Sequence, residues 1–231
     1  LESEHGLLMA EGEKVIVRAI EQGLRPVSFL LAPRWLDNLR PLIEASSAEC
    51  FVLEESEIEK LTGFHVHRGA LALFSRPVPL ASHELLNTAH RVLVLEDLAD
   101  HTNIGAIFRT AAALDWDAIL LSPRCADPWY RRAIKVSMGA VFSMPFAYAE
   151  DWYALPGQLA DAGFHSLAMT LSEDSVSLTQ VDFAPEAKLA LIVGSEGHGI
   201  SEHWQSTAGS RVNIPMRDNI DSLNVAASVA I

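Results

Sequence analysis

Arg109 is the first side chain whose position invites chemistry. It ends the segment Asn103-Ile-Gly-Ala-Ile-Phe-Arg109, where Ile104, Ile107, Phe108 and Ala111 mark the buried stripe of a helix. Arg109 falls off that stripe, about 140° from Ile104 by the helical period. A guanidinium kept out of the core can grip a phosphate or stabilise a developing negative charge. Thr102 or Asn103 is placed to cap the helix. A second segment, Gly194-Ser-Glu-Gly-His-Gly199, follows an apolar run. Gly194, Gly197 and Gly199 permit close approach of backbone to a ligand, and Glu196 is held among them. The spacing is GxxGxG, not the GxGxxG of a dinucleotide-binding turn. In the third segment, Ile214-Pro-Met216 ends a strand and a polar loop at 217–221 follows. A helix is then predicted over 222–231, capped at Asp221 or Ser222 and apolar almost all round. Such a helix must be buried, and Asn224 in its first turn must be hydrogen-bonded.

A fourth stretch sets Arg124, Arg131, Arg132 and Lys135 against the single Asp127, a local net charge of +3. On a helix starting near Pro128, Arg131, Arg132 and Lys135 share one face, a candidate track for nucleic-acid phosphates. That patch matters because the whole chain of 231 residues carries −13, which argues against non-specific wrapping of nucleic acid. Cys50 and Cys125 are the only cysteines and form no CxxC pair, so neither a disulfide framework nor a zinc ribbon is expected. His65 with His67, and His198 with His203, lack a third ligand at zinc spacing, so no metal is expected. No apolar run reaches membrane-spanning length and the first residues do not read as a secretory signal, so a cytoplasmic location is expected.

The elements that must position these residues alternate. Over 1–76, helices are predicted at 11–22, 33–45 and 54–61, and strands at 26–32, 51–53 and 69–74, a small α/β unit. Two prolines make 77–90 a linker. From 91 onward, strands at 92–95, 118–121, 166–169, 189–193 and 212–214 alternate with helices. This predicts an α/β domain over 91–231 with a mostly parallel sheet covered by helices on both faces. Ligand crevices in such sheets lie at the carboxyl ends of the strands, where all three segments fall.

Taken together, the segments resemble the signature motifs of the SpoU (TrmH) family of RNA ribose 2′-O-methyltransferases, part of the SPOUT superfamily. Asn103 and Arg109 match the first motif. Gly194, Glu196 and Gly199 match the second. Pro215 with Ser222-Leu223-Asn224 match the third. The resemblance covers 91–231, and the N-terminal unit looks like the family's small RNA substrate-binding domain. It departs at Asp115, where the family often has Gly after the first helix, and at Asp218 and Asn219, in a loop that often contains Gly.

What the resemblance implies is specific. The C-terminal part would be threaded into a trefoil knot. S-adenosylmethionine would be held by Gly194, Glu196, Gly197, Ile214, Met216, Leu223 and Asn224. Arg109, Asn103, Glu196, Ser222 and Asn224 would form the catalytic set. The partners would be rRNA or tRNA and a second copy of the chain, with the apolar last helix in the dimer contact. No imidazole or thiol base is expected. Arg109 is expected to grip a phosphate and steady the developing alkoxide, because a guanidinium holds its proton above about pH 12. The alternative is an RNA-binding or ribosome-assembly factor of the same fold without activity. A nucleotide-dependent oxidoreductase is disfavoured, because no glycine fingerprint follows the first strand of either unit.

Overall fold

The computed structural model describes residues 3–64, 66, 69–172, 174–195, 197–217 and 222–231. The chain divides into two compact units, Leu1–Val78 with Asp127–Ser143, and Pro79–Ala126 with Met144–Ile231. The boundary expected at 91 is therefore incomplete, because 127–143 belongs with the N-terminal unit.

That unit holds a sheet in the order β1-β4-β2-β3. Its strands are β1 (Leu7–Glu11), β2 (Pro26–Leu31), β3 (Glu49–Val52) and β4 (Ala70–Ser75), packed with helices α1 (Glu13–Glu21), α2 (Leu36–Ala45) and α3 (Glu55–Thr62). The helix predicted from 11 starts at Glu13, and β1 precedes it without the polar–apolar alternation that would mark a strand. β1 and β2 both run antiparallel to β4. The inserted segment 127–143, which carries α6 (Arg131–Val136), is fastened here by charge. Arg76 grips Asp127 through two bonds of 2.7 Å, and its guanidinium lies over the Trp129 ring. Buried Glu11 takes Lys135 Nζ at 2.7 Å and Arg131 Nη1 at 3.6 Å.

The second unit is built on a seven-stranded sheet, parallel throughout, in the order β7-β6-β5-β10-β8-β11-β9. Its strands are β5 (Arg91–Leu95), β6 (Ala118–Leu121), β7 (Phe146–Tyr148), β8 (Phe164–Met169), β9 (Val176–Ser177), β10 (Lys188–Val193) and β11 (Ser210–Asn213). The central strands are apolar on both faces, as a doubly covered sheet requires. Val92, Val94, Ala118, Leu120, Ala190 and Ile192 face a core with Leu85 and Leu86 of α4 (Ser82–Thr88), Leu155 and Leu159 of α7 (Leu155–Asp161), and Trp204 of α8 (Glu202–Thr207). Alternation puts Leu93, Leu95, Ile119 and Leu121 on the opposite face, where Phe108 of α5 (His101–Ala113) meets Phe146 edge-on at 5.3 Å.

Two expectations change. The stretch 77–90 is not a plain linker: its prolines end before α4, whose Leu85 and Leu86 are buried. The last helix does not fill 222–231. Among the described residues it is α9 (Val225–Ser228), preceded by Asn224 as its N-cap. Asp115, after α5, has φ 60°, a left-handed conformation that Asp tolerates better than most side chains.

Burial of α4 makes a direct prediction. Leu86→Ala should destabilise the second unit by about 2–5 kcal/mol, the range for emptying a packed core site, measured by chemical denaturation. A value near zero would mean that 82–88 is a tether, not a core element.

Candidate functional site: a cavity at the strand ends of the second unit

β5 and β10 pair in register, with Leu95 opposite Val193, so residues 96 and 194 leave the sheet side by side. From there the chain turns into the glycine loop. A methyl group placed on Gly194 would lie 2.0 Å from the Gly199 carbonyl oxygen and 2.6 Å from the Ile200 nitrogen. No side chain fits there. The loop doubles back in a small antiparallel bridge between Ser195 and Gly199, with Gly199 N–H donating to Ser195 O at 2.8 Å and Gly199 at φ 64°. Glycine at 194 is thus dictated by contact, and glycine at 199 by the sign of φ.

This loop forms one wall of a cavity of about 510 Å³. Gly194, Gly197, His198 and Gly199 meet Ile214 and Met216 beyond β11, and Ser222 and Leu223 ahead of α9. A further wall comes from Met169 to Ser172 at the end of β8. The volume lies within the ~300–1,000 Å³ typical of small-molecule sites. The lining combines apolar side chains with loop backbone, suited to a ligand with a flat apolar part and several polar edges.

Asn224 closes the structure beneath the third loop. Its Oδ1 accepts from the N–H groups of Ala226 at 3.0 Å and Ala227 at 3.4 Å. Its Nδ2 donates to Asn103 Oδ1 at 3.0 Å, and α9 packs on α5. One amide therefore caps α9 and ties it to the first segment. The cap of α5 itself is Asp100, which accepts from Thr102 N and Asn103 N, and not Thr102 or Asn103 as expected. Asp100 is the better cap because Asn103 already lies inside the first turn.

A model of the SpoU rRNA Methylase family matches residues 90–231. The chain belongs to this family. It is 36% identical over 226 residues to an uncharacterized tRNA/rRNA methyltransferase of Mycobacterium tuberculosis, covering 97% of this chain and 78% of that protein. It is 24% identical over 277 residues to the mitochondrial rRNA methyltransferase 3 of Mus musculus, covering 99% and 66%. Its fold is similar to an rRNA methyltransferase of Sinorhizobium meliloti solved with AdoMet bound, with TM-score 0.86, 23% identity, and 99% and 86% coverage. It is also similar to the SpoU methyltransferase AviRb of Streptomyces viridochromogenes, in complex with AdoMet, with TM-score 0.84, 19% identity, and 99% and 88% coverage.

Set against the SpoU motifs, the geometry is uneven. Of the residues expected to hold the cofactor, Gly194, Gly197, Ile214, Met216 and Leu223 line the cavity together; Asn224 sits behind it. Of the expected catalytic set, Ser222 lines the cavity and Asn103 and Asn224 are joined. Arg109 is exposed on α5 and is not part of the cavity wall. Glu196, Asp218, Asn219 and Asp221 lie outside the described residues, as do His65 and His67. His198, weighed in the sequence only as a metal ligand, is in the cavity wall. Among the described residues, no group of three or more His, Cys, Asp or Glu side chains is placed to hold a metal ion. Likewise no described helix is long and apolar enough to cross a membrane.

The phosphate track changes most. Arg131 and Lys135 both pair with Glu11, and the Arg131 guanidinium sits 3.6 Å above the Phe64 ring centroid. Arg124 pairs with Asp97, and this hydrogen bond, then the charge of Asp97, raises its pKa further. Asp127, counted as the sole opposing charge, is held by Arg76 instead. Sequence counting compared neighbours in the chain, whereas Glu11 and Asp97 are brought in by the fold. Arg132 is exposed. Nearby, burial raises the pKa of the Cys125 thiol, whose Sγ donates to Leu95 O at 3.2 Å.

What the sequence missed is the 169–172 wall. It carries no motif, and only its place at the end of a strand beside β10 could have signalled it. Two substitutions test the loop geometry. Gly194→Ala should cost about 1–3 kcal/mol, as overpacking does, and lower the melting temperature. Asn224→Ala should cost about 1 kcal/mol through the lost cap, and Asn224→Asp less, because it keeps the cap and loses only the bond to Asn103. Equal losses for both Asn224 variants would contradict this division of roles.

Proposed function

We propose that the protein is an S-adenosylmethionine-dependent methyltransferase acting on the 2′-hydroxyl of a ribose in rRNA or tRNA. The observation that carries this reading is the single cavity wall formed by Gly194, Gly197, Ile214, Met216 and Leu223, residues chosen from separate motifs and met in one place. Supporting it, the family to which the chain belongs is one of rRNA methylases, and relatives of the same fold have been solved with AdoMet bound.

The residues fit such a donor. Loop backbone at 194–199 and 214–216 offers peptide groups to the polar edges of a nucleoside, and Leu223, Met216 and Met169 supply apolar cover. When bound, the donor supplies a methyl group made electrophilic by its sulfonium sulfur. The chain's own work is alignment and exclusion of water, which in-line displacement needs most. In this reading Arg109, exposed on α5 beyond Asn103, takes an RNA phosphate. It steadies negative charge as the ribose oxygen loses its proton, without acting as a base. Asn103 and Asn224 hold α5 and the third loop in register, and Glu196 and Ser222 orient donor and ribose. RNA selection falls to the N-terminal unit, with Arg132 at its surface.

The same reading includes the trefoil knot and the homodimer. The knot is supported by β10 lying between β5 and β8 while the chain returns afterwards to pack α9 on α5. A dimer contact at the last helix is supported by the exposed Ala227 on α9.

The test is transfer of labelled methyl from S-adenosylmethionine to RNA of an unmodified host, with the product mapped by alkaline hydrolysis. A ribose 2′-O-methyl group blocks cleavage at its own nucleotide, because cleavage requires the free hydroxyl. Label in a base, or none, contradicts the reading. Arg109→Lys keeps the charge but loses the planar fork, and should lower turnover by about 100-fold with binding of S-adenosylhomocysteine unchanged. Full turnover in that variant would remove Arg109 from the mechanism.

A further inference from the structure

We infer that Glu96 is the positioning residue that clamps the glycine loop at both ends and so holds the cavity wall in a ligand-ready shape. The inference rests on the proposed donor site. Its observations concern a residue outside the matched motif positions.

Glu96 leaves β5 directly after Leu95 and is only 4% exposed. Its backbone N–H donates to Val193 O at 2.9 Å, the last residue before the loop. Its carboxylate Oε2 accepts from the N–H of Ser201 at 2.7 Å, the first residue after Ile200. One residue thus fixes the entry and the exit of 194–200, six of whose residues line the cavity. The other oxygen, Oε1, accepts from Trp152 Nε1 at 3.3 Å, and Trp152 packs edge-on against Trp204 at 5.6 Å.

The local sequence explains why the anchor comes from another strand. Ser201 is the N-cap of α8, but its side chain makes no capping bond. In a capping box, a Glu or Gln at the third helical position accepts from the N-cap N–H. Here that position is Trp204, fully buried in the core, so the helix cannot supply its own acceptor. Glu96 supplies it from β5. Two neutral donors meet two carboxylate oxygens, an arrangement that suits an acceptor-only group. An amide at 96 turns its NH2 toward one N–H donor and loses one contact. Such a buried carboxylate is costly unless both oxygens are bonded, so its presence points to a constraint worth keeping. The loop needs that constraint because Gly194 touches the backbone of Gly199 and Ile200, and glycines alone would let the turn open.

The experiment uses the full chain with Glu96→Gln, Glu96→Ala and, as a control, Trp152→Phe, which leaves the Ser201 contact in place. Hydrogen exchange read by mass spectrometry on unliganded protein should show faster exchange across 194–201 in both Glu96 variants, with α5 and the core of β5 and β10 at wild-type protection. Calorimetric titration with S-adenosylhomocysteine should show Kd raised about tenfold in Glu96→Gln, more in Glu96→Ala, and less than twofold in Trp152→Phe. In methyl transfer, the KM for S-adenosylmethionine should rise in Glu96→Gln while kcat at saturating donor stays within about twofold, a split that general loss of folded protein does not produce. Unchanged exchange at 194–201, protection lost throughout the unit, or local loosening with unchanged Kd would each overturn the inference. If the wild-type chain binds no S-adenosylhomocysteine, the proposed function fails, and the exchange result alone then decides whether Glu96 clamps the loop.

Discussion

The site depends on a contact between two stretches of backbone. Where β10 ends, Gly194 lies so close to Gly199 and Ile200 that a single added carbon would overlap them. This close approach lets the loop double back at the strand ends and line the cavity. Everything else at the site supports it. The parallel register of β5 and β10 brings Glu96 alongside. The core beneath, with Ile200 and Trp204 buried, holds the far side of the loop. The bond between Asn224 and Asn103 fixes the opposite wall. Packing stabilises a shape here that the loop residues by themselves do not specify.

A division of labour follows between the two units. The second carries the parallel sheet and a cavity drawn from three strand ends. The first carries a small mixed sheet and takes up 127–143, a segment from the middle of the other unit's sequence. The chain therefore passes between units at 78–79, at 126–127 and at 143–144, and not through one tether. Charge secures the insertion: Asp127 to Arg76, and Lys135 and Arg131 to the buried Glu11. Arg131 and Lys135, two of the cations that look like an RNA surface in the sequence, thus hold the insertion on its own unit.

Much of this was legible in the residues. Parallel strands were readable because their apolar runs are short, rich in Val, Ile and Leu, and separated by helical periodicity. The cavity loops were readable because glycine and polar residues at strand ends are conspicuous beside such runs. What escaped had physical causes. β7 and β9 span only three and two residues, and β1 lacks alternation, so nothing local marks them. α4 follows prolines that suggested a linker, although Leu85 and Leu86 signal burial. The last helix was overextended because apolar composition alone cannot show that Asn224 acts as a cap. The pairing of the cationic stretch is not legible, because its partners, Glu11 and Asp97, lie far away in the chain. Nothing local marks Glu96, since its burial and two-ended bonding exist only once β5 meets β10.

The central claim is that the cavity between 194–199, 214–216 and 222–223 receives the methyl donor. A co-crystal structure with S-adenosylhomocysteine at saturating concentration tests it most directly. The account predicts density for the product inside this cavity, against Gly194, Ile214 and Leu223, with the glycine loop in its present turn. Density elsewhere, or an empty cavity at saturation, would contradict it.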